Sequence, residues 1–341
     1  MSGFELYTEQ LSRPAIVIHG GAGNYLETTT KSDRMERGRV LLDSAYGGMA
    51  SLGVEGARAA VLTSVMAMES DVRFNAGLGS KLQRDGIVRV SAALMSGTDL
   101  RLSAVYNVHG CLHPSELANI LQDRGDRNLD GQGAAELMAA MGIEAVDLRT
   151  PQTIERWRSL METGEEADME AAIGDSGLKG LQRARAVGLD VPENMKDMPP
   201  EGERYGTVGA VAVGSDGDLW ACTSTGGRGH EQPGRVSDTP TPAGTYACPR
   251  VAISATGFGE QIMELNITGR IATRILDGKT LHESLEQTFH EVVDHQGAMG
   301  VIAITDDGRA GYAYSTAACG VAWVDSAGRT HIDPHGRSES S

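Results

Sequence analysis

The sequence predicts an α+β protein, in which apolar strands and amphipathic helices form separate runs along the chain. Short β-branched runs cluster at both ends of each half of the sequence, and helical patterns lie between them without strict βαβ alternation. Composition agrees, because 40% of the 341 residues are hydrophobic and 22% are charged, as in ordinary globular proteins. No internal repeat divides the chain, so we expect one structural domain.

Glycine is frequent, with 44 residues, whereas Phe, Trp and Tyr together number 15. Neither a three-residue glycine period nor a long heptad run occurs, which excludes collagen-like and coiled-coil proteins. The core must therefore be built mainly from small aliphatic side chains. The many glycines predict tight turns and close backbone contacts.

The first half begins with an apolar β-branched run at residues 15–19, which predicts a strand ending in a glycine loop at residues 20–24. A strand pair is predicted at 88–95 and 102–108, around a polar turn. The predicted helices of this half are 32–52, 55–69, 114–123 and 134–140.

Residues 150–206 differ from both flanks, because they are acidic and poor in β-branched residues. Five acids occur between 161 and 170, and Pro192, Pro199 and Pro200 follow. We predict an acidic flexible linker with a marginal helix near 154–161. It would separate an N-terminal part, 1–149, from a C-terminal part, 207–341. A solvated helical lid is the alternative interpretation.

The second half returns abruptly to an ordered pattern. Residues 207–213 and 219–223 predict a hairpin around the polar turn Ser215-Asp216-Gly217-Asp218. Further predicted strands are 251–255, 301–305, 310–314 and 320–323, and the predicted helices are 265–276 and 281–294.

The junction between the linker and the first strand of this half is unusual, because an acidic segment runs directly into an apolar strand at Gly206-Thr207. Cleavage of the chain there would explain it. A threonine at a new N-terminus carries a nucleophilic hydroxyl and, on the same residue, an amine of pKa about 7.7 that can act as its base. The alternative is that Thr207 is only a β-branched strand residue.

Several motifs surround this junction in the linear sequence. They are His19-Gly20-Gly21-Ala22-Gly23, Phe74-Asn75-Ala76-Gly77-Leu78-Gly79, Ala221-Cys222-Thr223-Ser224-Thr225-Gly226-Gly227, Pro233-Gly234-Arg235-Val236-Ser237-Asp238 and Ala255-Thr256-Gly257-Phe258-Gly259-Glu260. Together with Gly206-Thr207, they resemble the plant-type asparaginase and isoaspartyl peptidase family of threonine-dependent N-terminal-nucleophile hydrolases. The motifs occur in the family's order, and the resemblance covers nearly all of 15–145 and 205–325.

The resemblance implies roles for the matching residues. Thr207 would be both the autoprocessing residue, cut from Gly206, and the nucleophile, with Thr225 orienting it. The substrate α-carboxylate would bind Arg235, and its α-ammonium would bind Asp238. The remaining implied roles are an oxyanion hole from the Thr256 hydroxyl and the Gly257 N–H, and polar support from Asn75.

The same resemblance implies an overall architecture, which is a four-layer αββα sandwich, cut after residue 206 into two chains that stay together and dimerise. No catalytic cofactor is expected. A structural Na⁺ would be wrapped by backbone carbonyls of the loop between residues 68 and 78. The implied sodium ligands are Met68, Glu69, Asp71, Phe74, Ala76 and Leu78.

A hydrolase that releases L-aspartate from asparagine, from β-aspartyl dipeptides or from both is therefore the expected function. Glycosylasparaginase activity is one alternative. A non-catalytic amino-acid-binding relative is another, since Ser91, Ser96 and Ser237 depart from the family's usual residues.

Charge and cysteine content limit the partners and the compartment. The net charge is −16 and no basic run occurs, so we expect a small-molecule substrate and neither a nucleic-acid nor a membrane partner. No secretory signal pattern and no apolar stretch of about 18 residues are found. The four cysteines form no CxxC pair, and we expect a cytoplasmic protein.

Overall fold

Two β-sheets packed face to face form the centre of the protein in the computed structural model, which describes residues 3–23, 30–162 and 206–333. The strands are β1 (Glu5–Gln10), β2 (Ala15–Gly23), β3 (Arg89–Ser96), β4 (Leu102–His109), β5 (Asn128–Leu129), β6 (Val208–Val213), β7 (Leu219–Thr225), β8 (Thr245–Cys248), β9 (Val251–Gly257), β10 (Met299–Thr305), β11 (Arg309–Tyr314), β12 (Ala318–Asp325) and β13 (Thr330–Asp333). The helices are α1 (Lys31–Glu55), α2 (Ala57–Glu69), α3 (Pro114–Leu121), α4 (Gly131–Met141), α5 (Pro151–Glu162), α6 (Gly259–Glu264), α7 (Ile267–Leu276) and α8 (Leu281–Asp294).

The larger sheet contains eight strands in the order β13-β12-β2-β6-β7-β3-β4-β5, and the smaller contains five in the order β1-β11-β10-β9-β8. Both sheets contain strands from before and after residue 206. In the larger sheet β2 lies between β12 and β6, and β7 pairs with β3; in the smaller, β1 pairs with β11. Strand β6, which begins just after Thr207, is therefore an interior strand.

Apolar side chains fill the space between the sheets and on both outer faces. Val17 and Val211 of the larger sheet pack with Ile302 of the smaller one. Helices α1 and α2 cover one outer face, α3–α5 extend that cover over β3 and β4, and α7 and α8 cover the other. The α+β class and the four-layer sandwich are thus confirmed.

The glycine run after the first strand was predicted as a loop, and this was wrong. Strand β2 continues to Gly23, and all nine of its residues are buried. It continues because β12 pairs along its length, with Gly23 opposite Ala318 and Ala22 opposite Cys319. Gly20 tolerates no side chain there, since a Cβ would lie 2.7 Å from the Phe74 ring. Asn24, the last residue of the predicted loop, lies outside the described residues.

Most predicted helices and strands are present with shifted ends. Gly56, at φ +88°, separates α1 from α2, and Asn266, at φ +46°, separates α6 from α7. Helix α8 begins where predicted because Thr280 and Glu283 form a capping box. Strands β1, β5, β8 and β13 were not predicted: they are short or, like β1, exposed and polar.

The segment 150–206 is described only at its two ends. Residues 151–162 form α5, which contains the predicted marginal helix, and Trp157 on it is buried under Gly86 and among the side chains of α3 and α4. Residues 163–205, the rest of the predicted linker, lie outside the described residues.

In the described ranges, no helix is long and apolar enough to cross a membrane.

Candidate functional site

A pocket opens where the C-terminal ends of β2, β7 and β9 approach the start of β6. Its lining includes seven of the residues to which the sequence analysis gave a role, namely Asn75, Gly206, Thr207, Thr225, Arg235, Asp238 and Gly257. Segments separated by more than 180 residues in sequence thus meet in one place. The sheet order brings them together, because β6 pairs with both β2 and β7.

Thr207 is buried at the base of the pocket and lies beside a second threonine. Its Oγ1 donates a hydrogen bond to Thr225 Oγ1 at 2.9 Å, and Thr225 Oγ1 also accepts from the Gly227 N–H at 3.1 Å. The backbone bond orients the Thr225 oxygen, which in turn orients the Thr207 hydroxyl. This arrangement aims one hydroxyl oxygen into the pocket with a defined direction.

Gly206 fits into a narrow space between β2 and β9. Gly21 has a φ of +105°, and a Cβ added to it would lie only 2.5 Å from Gly206 Cα. A Cβ on Gly206 would lie 2.7 Å from Thr256 Oγ1. That hydroxyl accepts from the Ala22 N–H at 3.2 Å, so its own proton is available to another acceptor. Thr256 therefore lies against the Gly206–Thr207 junction.

Arg235 and Asp238 lie on the loop between β7 and β8. Arg235 makes a two-pronged ion pair with Glu260 of α6, from Nε to Oε1 at 2.6 Å and from Nη2 to Oε2 at 2.9 Å. Despite burial, Glu260 and the other nearby acids raise the pKa of Arg235 above its usual value. The Arg235 side chain is only 12% exposed and lines the pocket, and the two-pronged pair fixes the orientation of its guanidinium.

The Asp238 carboxyl is buried, and among the described residues its Oδ2 has no hydrogen-bond partner. Burial raises the pKa of Asp238 to about 7, although Arg235 works in the opposite direction. The adjacent Ser237 Oγ is also buried without a partner in the described part of the chain. A buried acid with an unused oxygen is costly unless a cation meets it, so this corner is suited to a cationic group of a ligand.

Comparison with known proteins adds a second line of support. The asparaginase family model matches residues 12–332. A protein from a Nostoc species, named isoaspartyl peptidase/L-asparaginase, is 35% identical over 87% of this chain and 87% of its own length. Proteins of the same name from a Synechocystis species and from Homo sapiens are 33% and 32% identical over 86% of this chain, and 83% and 88% of their own lengths.

The chain belongs to the asparaginase family. The match spans both halves of the sequence and includes every motif around the pocket. The identification therefore applies to the whole sandwich and not to one half of it.

Asn75 supports this asparaginase-family pocket from the side. Its Nδ2 donates to the Gly227 carbonyl at 2.5 Å, its Oδ1 accepts from the Lys81 N–H at 3.1 Å, and its carbonyl accepts from the Gly226 N–H at 2.9 Å. The bonds to Gly226 and Gly227 fix the chain just after Thr225, and the bond from Lys81 orients the Asn75 side chain. Asn75 therefore positions Thr225 and is close to the pocket itself.

The loop expected to hold sodium contains Asn75, and none of the six implied sodium ligands lines the pocket. A Cβ on Gly77 would lie 2.2 Å from the Glu69 carbonyl, and one on Gly79 would lie 2.0 Å from the Phe74 carbonyl. The loop is thus folded tightly around backbone oxygens, the donor type that hard cations prefer. No cluster of three or more His, Cys, Asp or Glu side chains suited to a metal occurs in 3–23, 30–162 and 206–333.

A polar network fills the space between the sheets beneath Thr207. His19 Nε2 and Ser254 Oγ are 2.8 Å apart, and Thr223 Oγ1 lies 2.7 Å from the same serine oxygen. Burial lowers the pKa of His19 to about 3, so the ring is neutral at pH 7. Gly209 passes so close that a Cβ there would lie 2.0 Å from Ser254 Oγ. This network holds the buried side chains beneath Thr207 in fixed positions.

Sequence reasoning missed several residues of the site. Glu260 was quoted within a motif without a role, although an acid at the start of a helix near an arginine is a usable signal. Ser91 Oγ accepts from the Asn107 N–H, and Asn107 Nδ2 donates to the Arg235 carbonyl at 2.9 Å. Ser91 is therefore linked to the Arg235 loop, and only the fold reveals this.

Gly257 offers a test of packing in the asparaginase-family pocket. Gly257→Ala should lower the free energy of unfolding by about 3 kcal/mol or more, because φ is +141° and the Cβ would lie 2.5 Å from both the Ala298 carbonyl oxygen and Met299 Cα. Gly278→Ala is the matched control, since φ is +95° but no atom lies within 4 Å. It should cost only about 1 kcal/mol of backbone strain. Equal losses in urea unfolding would contradict the packing argument.

Proposed function

We propose that this chain is an autoprocessing threonine hydrolase that cleaves the side-chain amide or isopeptide bond of aspartyl substrates and releases L-aspartate. The observation that carries the proposal is the 2.9 Å bond between Thr207 and Thr225 in a pocket that also contains Arg235 and Asp238. Arg235 and Asp238 place a cation and an anion in the same pocket as the proposed nucleophile. That pattern matches the carboxylate and ammonium of an α-amino acid.

Autoprocessing would use the same hydroxyl. Thr207 Oγ attacks the Gly206 carbonyl carbon, and the bond to the Thr207 nitrogen breaks as that nitrogen takes up a proton. Water then hydrolyses the resulting ester, which frees the Gly206 carboxylate and the Thr207 amine. The position of Thr256 Oγ1, 2.7 Å from where a Cβ on Gly206 would lie, supports this step, since this hydroxyl next to Gly206 would donate to the developing oxyanion.

Substrate hydrolysis follows the same chemistry with the aspartyl side-chain carbonyl as electrophile. The free Thr207 amine accepts the hydroxyl proton, and the hydroxyl oxygen attacks the carbonyl carbon. The Thr256 hydroxyl and the Gly257 N–H stabilise the oxyanion, and the leaving amine departs with a proton. Water, activated by the same amine, then releases L-aspartate and regenerates Thr207.

The recognition of the substrate α-amino acid is assigned to two side chains. Arg235 binds the α-carboxylate through the part of its guanidinium not occupied by Glu260, and Asp238 binds the α-ammonium. The unused Asp238 Oδ2 and Ser237 Oγ support this assignment. An activity panel of asparagine, β-Asp-Leu, β-Asp-Arg and glycosylasparagine tests the function. Turnover of glycosylasparagine alone, or aspartate binding without turnover, would contradict it.

A structural sodium ion, a homodimer of processed units and a cytoplasmic location complete the proposal. The loop residues Met68, Glu69, Asp71, Phe74, Ala76 and Leu78 would hold the ion through backbone carbonyls, and the ion would stiffen the loop that carries Asn75. Four buried free cysteines support a reducing compartment.

Product binding should depend on pH through Asp238. Its carboxyl, with a pKa raised by burial to about 7, is protonated at lower pH and then cannot pair with an ammonium. The dissociation constant of L-aspartate, measured by calorimetry, should therefore increase by about tenfold between pH 8 and pH 6. Succinate, which lacks the ammonium, is the control, and its dissociation constant should not increase between pH 8 and pH 6. The same pH dependence for both ligands would exclude this role of Asp238.

A further inference from the structure

The part of the pocket beyond Arg235 and Asp238 carries positive charge that the proposed catalytic steps do not use. Lys81 and Arg228 line the pocket as well as Arg235, whereas Asp238 is the single acid of that lining within the described residues. Glu260 forms an ion pair with Arg235 and also lies within electrostatic reach of Arg228. Arg235 is already assigned to the substrate α-carboxylate, so Lys81 and Arg228 are the two cations of this lining that have no role in the proposed steps.

Arg228 is held at the pocket by its surroundings. Its guanidinium carbon lies 5.3 Å from the centre of the Phe258 ring, and its backbone N–H donates to Glu231 Oε2 at 2.6 Å. Glu231 is buried, and Gly227 passes so close that a Cβ there would lie 2.0 Å from Glu231 Oε1. A stacked guanidinium on a fixed backbone is pre-organised to bind a planar carboxylate.

Lys81 approaches the same loop from the other side. Its backbone N–H donates to Asn75 Oδ1, and its side-chain stem packs on Gly229, where a Cβ would lie 2.8 Å from Lys81 Cδ. Gly229, at φ +81°, is the neighbour of Arg228. The two cations are thus supported by one short loop, in a protein whose net charge of −16 otherwise disfavours anions.

The two proposed substrate classes differ in the charge of the leaving group, to which these cations would respond. Cleavage of asparagine releases ammonia, which carries no carboxylate. Cleavage of a β-aspartyl dipeptide releases an amino acid, whose α-carboxylate is a second anion in addition to the one assigned to Arg235. A second cationic position in the pocket is useful only for the second class of substrate.

We propose that Arg228, assisted by Lys81, binds the α-carboxylate of the leaving residue and makes this pocket selective for β-aspartyl dipeptides over asparagine. The proposal rests on the hydrolase function described above and assigns its leaving-group subsite. It predicts that the free carboxylate of the leaving residue, and not its side chain, is the group that the pocket recognises.

The test compares kcat/KM for β-Asp-Leu, for the same dipeptide with an amidated C-terminus, and for asparagine. The wild-type protein should cleave the free acid about tenfold better than the amide. Arg228→Gln should lower the ratio of β-Asp-Leu to asparagine turnover by about tenfold, and Lys81→Gln should lower it by a smaller factor. Arg228→Lys, which keeps the charge, should recover part of the ratio. Arg250→Gln, an exposed arginine paired with Asp306, is the matched control and should leave it unchanged.

Each ratio is measured within one protein preparation, so partial misfolding of a variant does not alter it. Equal turnover of the acid and the amide, or an Arg228→Gln ratio equal to that of the wild type, would overturn the subsite. If the wild-type protein cleaved neither asparagine nor β-Asp-Leu, the hydrolase function itself would fail. That result is distinct from cleavage of both substrates without discrimination.

Discussion

Replacing Thr207 by alanine should leave the purified protein as one band of 36.0 kDa and lower hydrolysis of aspartyl substrates by about 10⁴-fold or more. The wild-type protein should instead run as two fragments of about 22 and 14 kDa, in proportion to the residues before and after the Gly206–Thr207 bond. Both effects have one cause, because the same hydroxyl is proposed to attack the Gly206 carbonyl and the substrate. The measurements are a denaturing gel and an assay of released aspartate.

Two further variants make this result interpretable. Thr207→Ser keeps a hydroxyl and a future amine on one residue, so it should still be cut and should keep measurable activity. Thr8→Ala removes a threonine from the edge strand β1, far from the pocket, and should behave like the wild type. Cleavage at a different bond, or full activity of Thr207→Ala, would refute the assignment of the nucleophile.

Replacing Arg235 by lysine should lower kcat/KM for asparagine by about 10²- to 10³-fold, mainly through a higher KM, while cleavage into two fragments continues. An ammonium cannot make two parallel bonds to Glu260 and also present a planar face to a substrate carboxylate. The side chain is 12% exposed, so little water compensates for the lost contacts. Cleavage should persist because the chain's own Gly206 carbonyl needs no carboxylate recognition.

The comparison between cleavage and turnover separates a binding defect from a folding defect. Arg250→Lys, at an exposed ion pair with Asp306, should change neither. A processed Arg235→Lys protein with a normal KM would rule out Arg235 as the carboxylate-binding residue. An unprocessed protein would show that Arg235 instead supports the fold of the pocket.

The layered α+β fold could be predicted from sequence because its interior strands and covering helices have strong periodic patterns. The buried strand β10 is apolar along its length, and α8 combines an apolar stripe with a capping box. The edge strand β1 could not be predicted, since its residues are polar and its pairing depends on β11, about 300 residues away. Local patterns carry no information about such distant partners.

The same limit applies to the pocket. Thr207, Thr225, Arg235 and Asp238 could be selected from motifs, and they do lie together around one opening. The ion pair of Glu260 with Arg235, the positions of Lys81 and Arg228, and the link from Ser91 to the Arg235 loop could not be selected. They depend on how separate strands, helices and loops approach one another, which the sheet order determines.

The larger sheet combines strands from both sides of residue 206, and this affects how the two proposed fragments are held together. A fragment ending at Gly206 contributes β2 and β3, and the other contributes β12, β6 and β7, so three hydrogen-bonded ladders join them. Dilution alone should not dissociate such a pair. If the halves were made separately, each would expose long unpaired strand edges. Each half would then aggregate before it could pair with the other. We therefore expect the uncut chain to be the folding unit, and the proposed cleavage to follow folding.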